Sequence, residues 1–333
     1  MEISRRTIYI AAATFVLIAV AVCITLLIVT RMSAPPPTPT VPPMATAMPA
    51  ATPTPTAEPT QAAGTCGQHG STTVLLLGES LPESHQARGA SAIRLIRVDY
   101  DAQTVRVLAL PPYLWVDTPA LSAAQIDATV LTLVYWEALQ VGPGSDRAKM
   151  AYAANVFAQT LEDNFGLVPD HFISVRQGVF VDTIDALGGL SIDLPEDVDG
   201  LPSRSGTYSA GPQVLDGQGV LDYVSIYSAG GDEPPAEWER LERQDQVLRA
   251  LEAQLARPET LFKLPDLLRQ FHQDVVTDMG LSQILVLACI LQEPDVSIEY
   301  LELDADLVTL GEDNILLPKT DQIIAYLNTA FVQ

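Results

Sequence analysis

The side chains able to do chemistry are few and mostly isolated along the chain. His69, His85, His171 and His272 have no partner at metal-ligand spacing, so surface or structural roles are expected for them. The sequence holds no P-loop, no GxGxxG, no GxSxG and no HExxH. The run Glu302-Leu-Asp304-Ala-Asp306 alternates acids as a metal loop does. It lacks the glycine and distal glutamate of an EF-hand and reads as a solvated strand edge. The three cysteines, Cys23, Cys66 and Cys289, form no CxxC pair. That spacing argues against a zinc ribbon, a thioredoxin-type motif and a disulfide framework. Cys66 and Cys289 are able to pair outside a cell, but a lone packed thiol at Cys289 is the expected state. Arg240 and Arg243 lie three residues apart among Glu237, Glu239 and Glu242. On residue types alone they are ion pairs along a solvated helix face.

The elements that must position these residues alternate between strand and helix. Thr73 to Leu77 is a continuous apolar run ending in Gly78, the pattern of a strand buried on both faces. Strands follow at 93–99 and 104–110, separated by the turn-like 100–103. Met150, Ala154, Phe157 and Leu161 give one face to a helix over Asp146–Phe165, which Gly166 stops. Residues 171–175 and 190–194 read as strands around a short helix at 181–187. The stripe Trp238, Leu241, Val247, Leu248, Leu251 and Leu255 marks a helix over 237–256. A buried helix at 281–291, a strand at 296–303 and a final helix at 320–331 complete the order. This order predicts an α/β three-layer sandwich with a central mixed sheet and helices on both faces.

The chain of 333 residues is 48% hydrophobic, and part of that fraction precedes the sandwich. Residues 8–30 are 23 uncharged, apolar positions. As a helix they reach ~34 Å, enough to cross a bilayer core of ~30 Å. Arg31 follows directly, with no small-residue cleavage site, so one retained transmembrane helix is expected. Arg5 and Arg6 precede it, and after Arg31 the next basic residue is Arg88. The bias places residues 1–7 in the cytoplasm and the remainder outside the membrane. Residues 31–70 form a linker; ten prolines and seven threonines between Ser33 and Gly64 favour extended polyproline II and cannot bury a core. Residues 71–333 form one domain. Only Glu2 and Glu58 of the 41 acidic residues precede it, and the formal net charge is −23. A domain so acidic is not a general nucleic-acid binder.

Five stretches, in order between residues 73 and 256, resemble the LytR–CpsA–Psr (LCP) family. They are Val74-Leu-Leu-Leu-Gly78, Val105 to Val116, Asp182 to Pro195 (DTIDALGGLSIDLP), Leu215 to Val224 (LDGQGVLDYV) and Arg240-Leu-Glu-Arg243-Gln244. The resemblance implies a membrane-anchored, extracytoplasmic α/β protein of cell-envelope assembly. Its relatives move glycopolymers from polyprenyl-pyrophosphate carriers to peptidoglycan. The resemblance further implies that Arg240 and Arg243 grip phosphate, with Gln244 orienting, and that Glu79 ligates Mg²⁺. An apolar pocket takes the lipid tail. Such chemistry suits arginine, whose planar fork binds phosphate bidentately.

The sequence departs from the family's pattern where the chemistry lies. Glu79 stands where the family has aspartate. Ala90-Ser91-Ala92-Ile93 aligns with Arg-Ser-Asp-Thr, and Arg88 is the nearest substitute for the lost arginine. Pro112-Tyr113 replaces an Arg-Asp pair, and Ser225 and Tyr227 replace two further arginines. Removing one transition-state donor typically costs ~10²–10³ in rate. Transfer is therefore expected to be weakened or lost. A non-catalytic binder or scaffold for a polyprenyl-linked intermediate or an envelope protein is the alternative.

Overall fold

The computed structural model describes residues 65–80, 89–199, 206–226, 235–255, 275–290, 293, 295–312 and 315–332. The expected span at 8–30, most of the linker, and Arg88 lie outside these residues. Among the described residues no helix is long and apolar enough to cross a membrane.

A six-stranded mixed sheet forms the middle layer. Its strands are β1 (Ser71–Ser80), β2 (Gly89–Asp99), β3 (Thr104–Ala109), β6 (His171–Arg176), β11 (Val275–Thr277) and β12 (Ser297–Glu302), in the order β11-β6-β1-β2-β3-β12. β1 runs parallel to β6 and β3 parallel to β12, while the other neighbours are antiparallel. Strand alternation sorts the apolar run into two cores. Leu75 and Leu77 enter one with Ile93, Leu95 and Leu108, under helices α1 (Leu131–Val141), α2 (Asp146–Phe165) and α7 (Thr320–Leu327). Val74 enters the other with Val107, Ile173 and Val175, under α3 (Gln177–Leu187), α4 (Gly217–Val224), α5 (Pro235–Leu255) and α6 (Leu281–Ile290). The chain thus has helices on both faces of the sheet.

Short strand pairs flank this frame. β4 (Trp115–Asp117) pairs with β5 (Ala128–Val130), and β8 (Val198–Asp199) with β9 (Thr207–Tyr208). β7 (Leu190–Leu194) pairs with β10 (Gly211–Leu215), outside the central sheet. β13 (Val308–Leu310) pairs with β14 (Leu316–Pro318).

Local sequence explains the ends of the helices. α2 starts at Ser145, whose hydroxyl accepts the Ala148 N–H, and ends at Gly166. α3 ends at Gly188 and Gly189, with φ of 90° and 92°. Both N–H groups turn back onto the last turn, to the carbonyls of Asp185 and Ile184. A side chain at either position would be strained in that left-handed backbone, which accounts for the tandem glycine of the DALGG stretch.

The cysteines correct one expectation. Cys289 is not a lone packed thiol: it is joined to Cys66 by a disulfide across 223 residues, with Cα atoms 5.9 Å apart. Their separation in sequence hid the pair, since spacing alone says nothing about which distant segments the sheet brings together.

Candidate functional site

A cavity of about 180 Å³ opens between the sheet and helices α3, α4 and α5. Glu79 and Arg176 stand at the carboxyl ends of the parallel strands β1 and β6 and are partners in their register. Leu76, Phe180, Leu221, Val224, Leu248 and Leu251 make an apolar wall. Arg94, Arg176, Arg240, Gln244 and Glu79 bring the charged and amide groups.

A β-bulge shapes the polar end. The register of β1 on β2 shifts between Gly78, which faces Ala92, and Glu79, which faces Ala90, so Ser91 has no partner in the ladder. A bulge frees a residue from ladder pairing and re-aims it. The Ser91 carbonyl accepts from Arg240 NH1 at 3.1 Å and from Gln244 Nε2 at 3.5 Å. The bulge thereby ties the start of α5 to the sheet.

Arg240 also donates to both Glu237 carboxylate oxygens, at 3.3 and 2.5 Å. Arg243 pairs with Glu239 at 3.9 Å and donates to the Ile226 carbonyl. The expected glutamate partners are therefore present, but the face is not solvated: Arg240 is 3% exposed and Arg243 6%. Arg243 does not line the cavity. Its Nε is buried without a hydrogen bond, as is Gln244 Oε1. Of the residues singled out from the sequence, the structure brings Glu79, Arg240 and Gln244 to one cavity and leaves Arg243 beside it. Arg88 lies outside the described residues.

Two arginines of the cavity, Arg94 and Arg176, escaped the motif reading. Arg94 is 2% exposed and donates from Nε and NH2 to one oxygen of Asp245, at 3.1 and 2.8 Å. Its NH1 bonds the Ile93 carbonyl at 3.1 Å. Burial raises the Asp245 carboxyl, opposed by Arg94. Burial pulls the Arg94 guanidinium below its ordinary range, opposed by the Asp245 carboxylate. A usable signal for Arg94 was present: a charge inside the apolar run Ile93–Ile96 needs a buried partner. Arg176 offered a weaker one, as the first charge after the apolar end of β6.

Glu79 is 8% exposed. Its Oε2 has no hydrogen bond and lies 3.5 Å from Arg176 Nε. Burial lifts the carboxyl above its ordinary range, against the pull of Arg176.

The donor set does not fit the Mg²⁺ that the resemblance implies. Glu79 is the one carboxylate among the described residues lining the cavity, and a guanidinium already faces it. Glu237 and Asp245 are held by Arg240 and Arg94, and Ala92 offers no donor. Magnesium demands near-octahedral oxygen coordination, usually through one or two carboxylates, phosphates and water. Elsewhere among the described residues, Cys66, Cys289 and Glu293 cluster at metal-ligand distance, but the disulfide removes both thiolates.

The site is thus an apolar cavity over the carboxyl ends of parallel strands in an α/β sandwich, with arginines at its polar end. Residues 45–329 match the LytR_cpsA_psr family, and the chain belongs to that family. Regulatory protein MsrR of Staphylococcus aureus (strain COL) is 23% identical over 225 residues, 64% of this chain. The chain spans 59% of the length of that relative. Among solved structures, B. subtilis TagV superposes with a TM-score of 0.58 at 18% identity, covering 79% of this chain and 97% of TagV. TagT bound to LI-WTA superposes with a TM-score of 0.56 at 16% identity, covering 81% of this chain and 95% of TagT. At such identities these likenesses establish the fold.

Proposed function

We propose that the protein is a membrane-anchored, extracytoplasmic binder of polyprenyl-linked glycopolymer in cell-envelope assembly, with transfer to peptidoglycan weakened or lost. The observation that carries this reading is the cavity itself. Its apolar wall, from Leu76 and Phe180 to Leu251, suits a lipid tail, and Arg94, Arg176 and Arg240 bring cationic groups to the same space. The fold shared with TagT, seen bound to LI-WTA, supports a lipid-linked glycopolymer as occupant. The apolar segment 8–30 supports an anchor, and the Cys66–Cys289 disulfide supports an oxidising compartment outside the cytoplasm.

Two features favour binding over turnover. Arg94 and Arg240 are each matched by a carboxylate, so their charge is largely compensated before a substrate arrives. Among the described residues, Glu79 is the one carboxylate lining the cavity to hold an ion at the phosphates. Phosphoryl transfer depends on uncompensated positive charge placed at the developing oxyanion.

The test uses the full chain purified from membranes in mild detergent. Mass spectrometry of extracted lipid should find a polyprenyl phosphate or pyrophosphate at near-stoichiometric yield. Supplied with lipid-linked glycopolymer and peptidoglycan, the protein should transfer at least ~10²-fold more slowly than a family member that keeps the motif arginines. A lipid-free protein that takes up no added polyprenyl pyrophosphate overturns the reading. Rapid transfer overturns its second half.

A further inference from the structure

We infer that Arg176 supplies the positive charge that an acid-bound divalent cation would otherwise bring, so that this cavity holds a diphosphate ester without a metal ion. The inference rests on the function proposed above and names the group that recognises the anion.

Register fixes the arrangement. Glu79 and Arg176 are paired positions on adjacent parallel strands, so the backbone delivers a guanidinium to the one acid that lines the cavity among the described residues. The contact between them is loose: 3.5 Å from Arg176 Nε to Glu79 Oε2, with that oxygen buried and lacking any hydrogen bond. A divalent ion on Glu79 would sit beside the Arg176 guanidinium, two cations against one carboxylate, in a space where burial weakens screening.

The other two cavity arginines are committed. Arg94 makes two bonds to Asp245, and Arg240 makes two to Glu237 and one to the bulged Ser91 carbonyl. Arg176 differs. Its side chain is a third exposed, and Glu79 is its one ion-pair partner among the described residues. It engages that partner through Nε, which leaves the terminal nitrogens of the fork for a phosphate. A diphosphate ester then competes with Glu79 for Arg176, and the carboxylate opposes the incoming anion rather than assisting it through a metal.

The experiment titrates farnesyl pyrophosphate into the full chain in detergent, by calorimetry, once in excess EDTA and once in millimolar MgCl₂. The two dissociation constants should agree within about twofold. In EDTA, Arg176→Met should weaken binding at least ~10-fold, and Arg176→Lys should recover part of that loss because it keeps the charge without the fork. Glu79→Gln, which would cripple a metal site, should instead tighten binding severalfold by removing the competing charge. Binding that needs Mg²⁺, an Arg176→Met variant that binds like the parent, or a Glu79→Gln variant that loses binding each overturns the inference. The first of these leaves the proposed function standing. Failure of the parent protein to bind the probe in either buffer overturns both.

Discussion

Arg94 and Asp245 form a buried ion pair at the cavity. Side-chain exposures of 2% and 5% leave both groups out of water. Removing one partner strands the other as an uncompensated buried charge, which typically costs ~3–5 kcal/mol. Replacing both by apolar groups of similar volume removes the desolvation penalty along with the attraction and is often neutral. Arg94→Met and Asp245→Asn should therefore each destabilise the protein by ~3–5 kcal/mol in urea unfolding. The double variant Arg94→Met with Asp245→Asn should lose less than the sum of the two single changes. Losses that simply add in the double variant would show that the two residues do not act as a unit.

At the scale of elements, the motif stretches turn out to be packing devices. Asp216 caps α4, its carboxylate accepting the Gly219 N–H at 2.7 Å. Asp185, from the DALGG stretch, accepts the Gly217 N–H at 2.7 Å. A Cβ on Gly217 would lie 1.9 Å from the Val181 carbonyl oxygen, so only glycine lets α4 lie this close to α3. Gly217→Ala should cost about 3 kcal/mol by forcing the helices apart. It should also weaken lipid binding, because Leu221 and Val224 of α4 and Phe180 of α3 share the cavity wall. Unchanged stability on denaturant titration would mean that the helix pair yields freely.

These packing roles explain what could be read from the sequence. α2 was legible over Asp146–Phe165 because one face is wet and both ends carry their stop signals. α1, with Leu131, Thr132, Val134, Tyr135 and Ala138 all buried, leaves no clear polar face and gave no such period. The strand at Leu190–Leu194 was visible as a strand, but its partner β10 rather than the central sheet was not, since alternation does not name a neighbour. The site divides in the same way. Glu79, Arg240 and Gln244 belong to motif stretches and could be singled out. Arg94 and Arg176 become cavity residues only through strand register and helix packing, which a linear pattern does not contain.

For the whole molecule, the disulfide fixes where the domain begins. Cys66 sits in the 3₁₀ turn Thr65–Gly67, after the Pro/Thr-rich stretch 33–64 and just before β1. Cys289 lies near the end of α6, on the face that also carries α3, α4 and α5. Under the anchoring proposed above, load along the linker would enter at this turn, which the bond ties to α6. It also closes a loop of 223 residues in the unfolded chain, which the chain-entropy account values at ~5 kcal/mol. Cys289→Ser, or reduction of the parent protein, should therefore lower unfolding free energy by ~4–5 kcal/mol. Among the described residues none of α6 lines the cavity, so farnesyl pyrophosphate should still bind the reduced protein under native conditions. A melting midpoint that stays fixed while mass spectrometry shows both thiols free would remove the clamp from the account of stability. Loss of binding on reduction, with the fold intact, would instead show that the end of the linker and the cavity are coupled through α6.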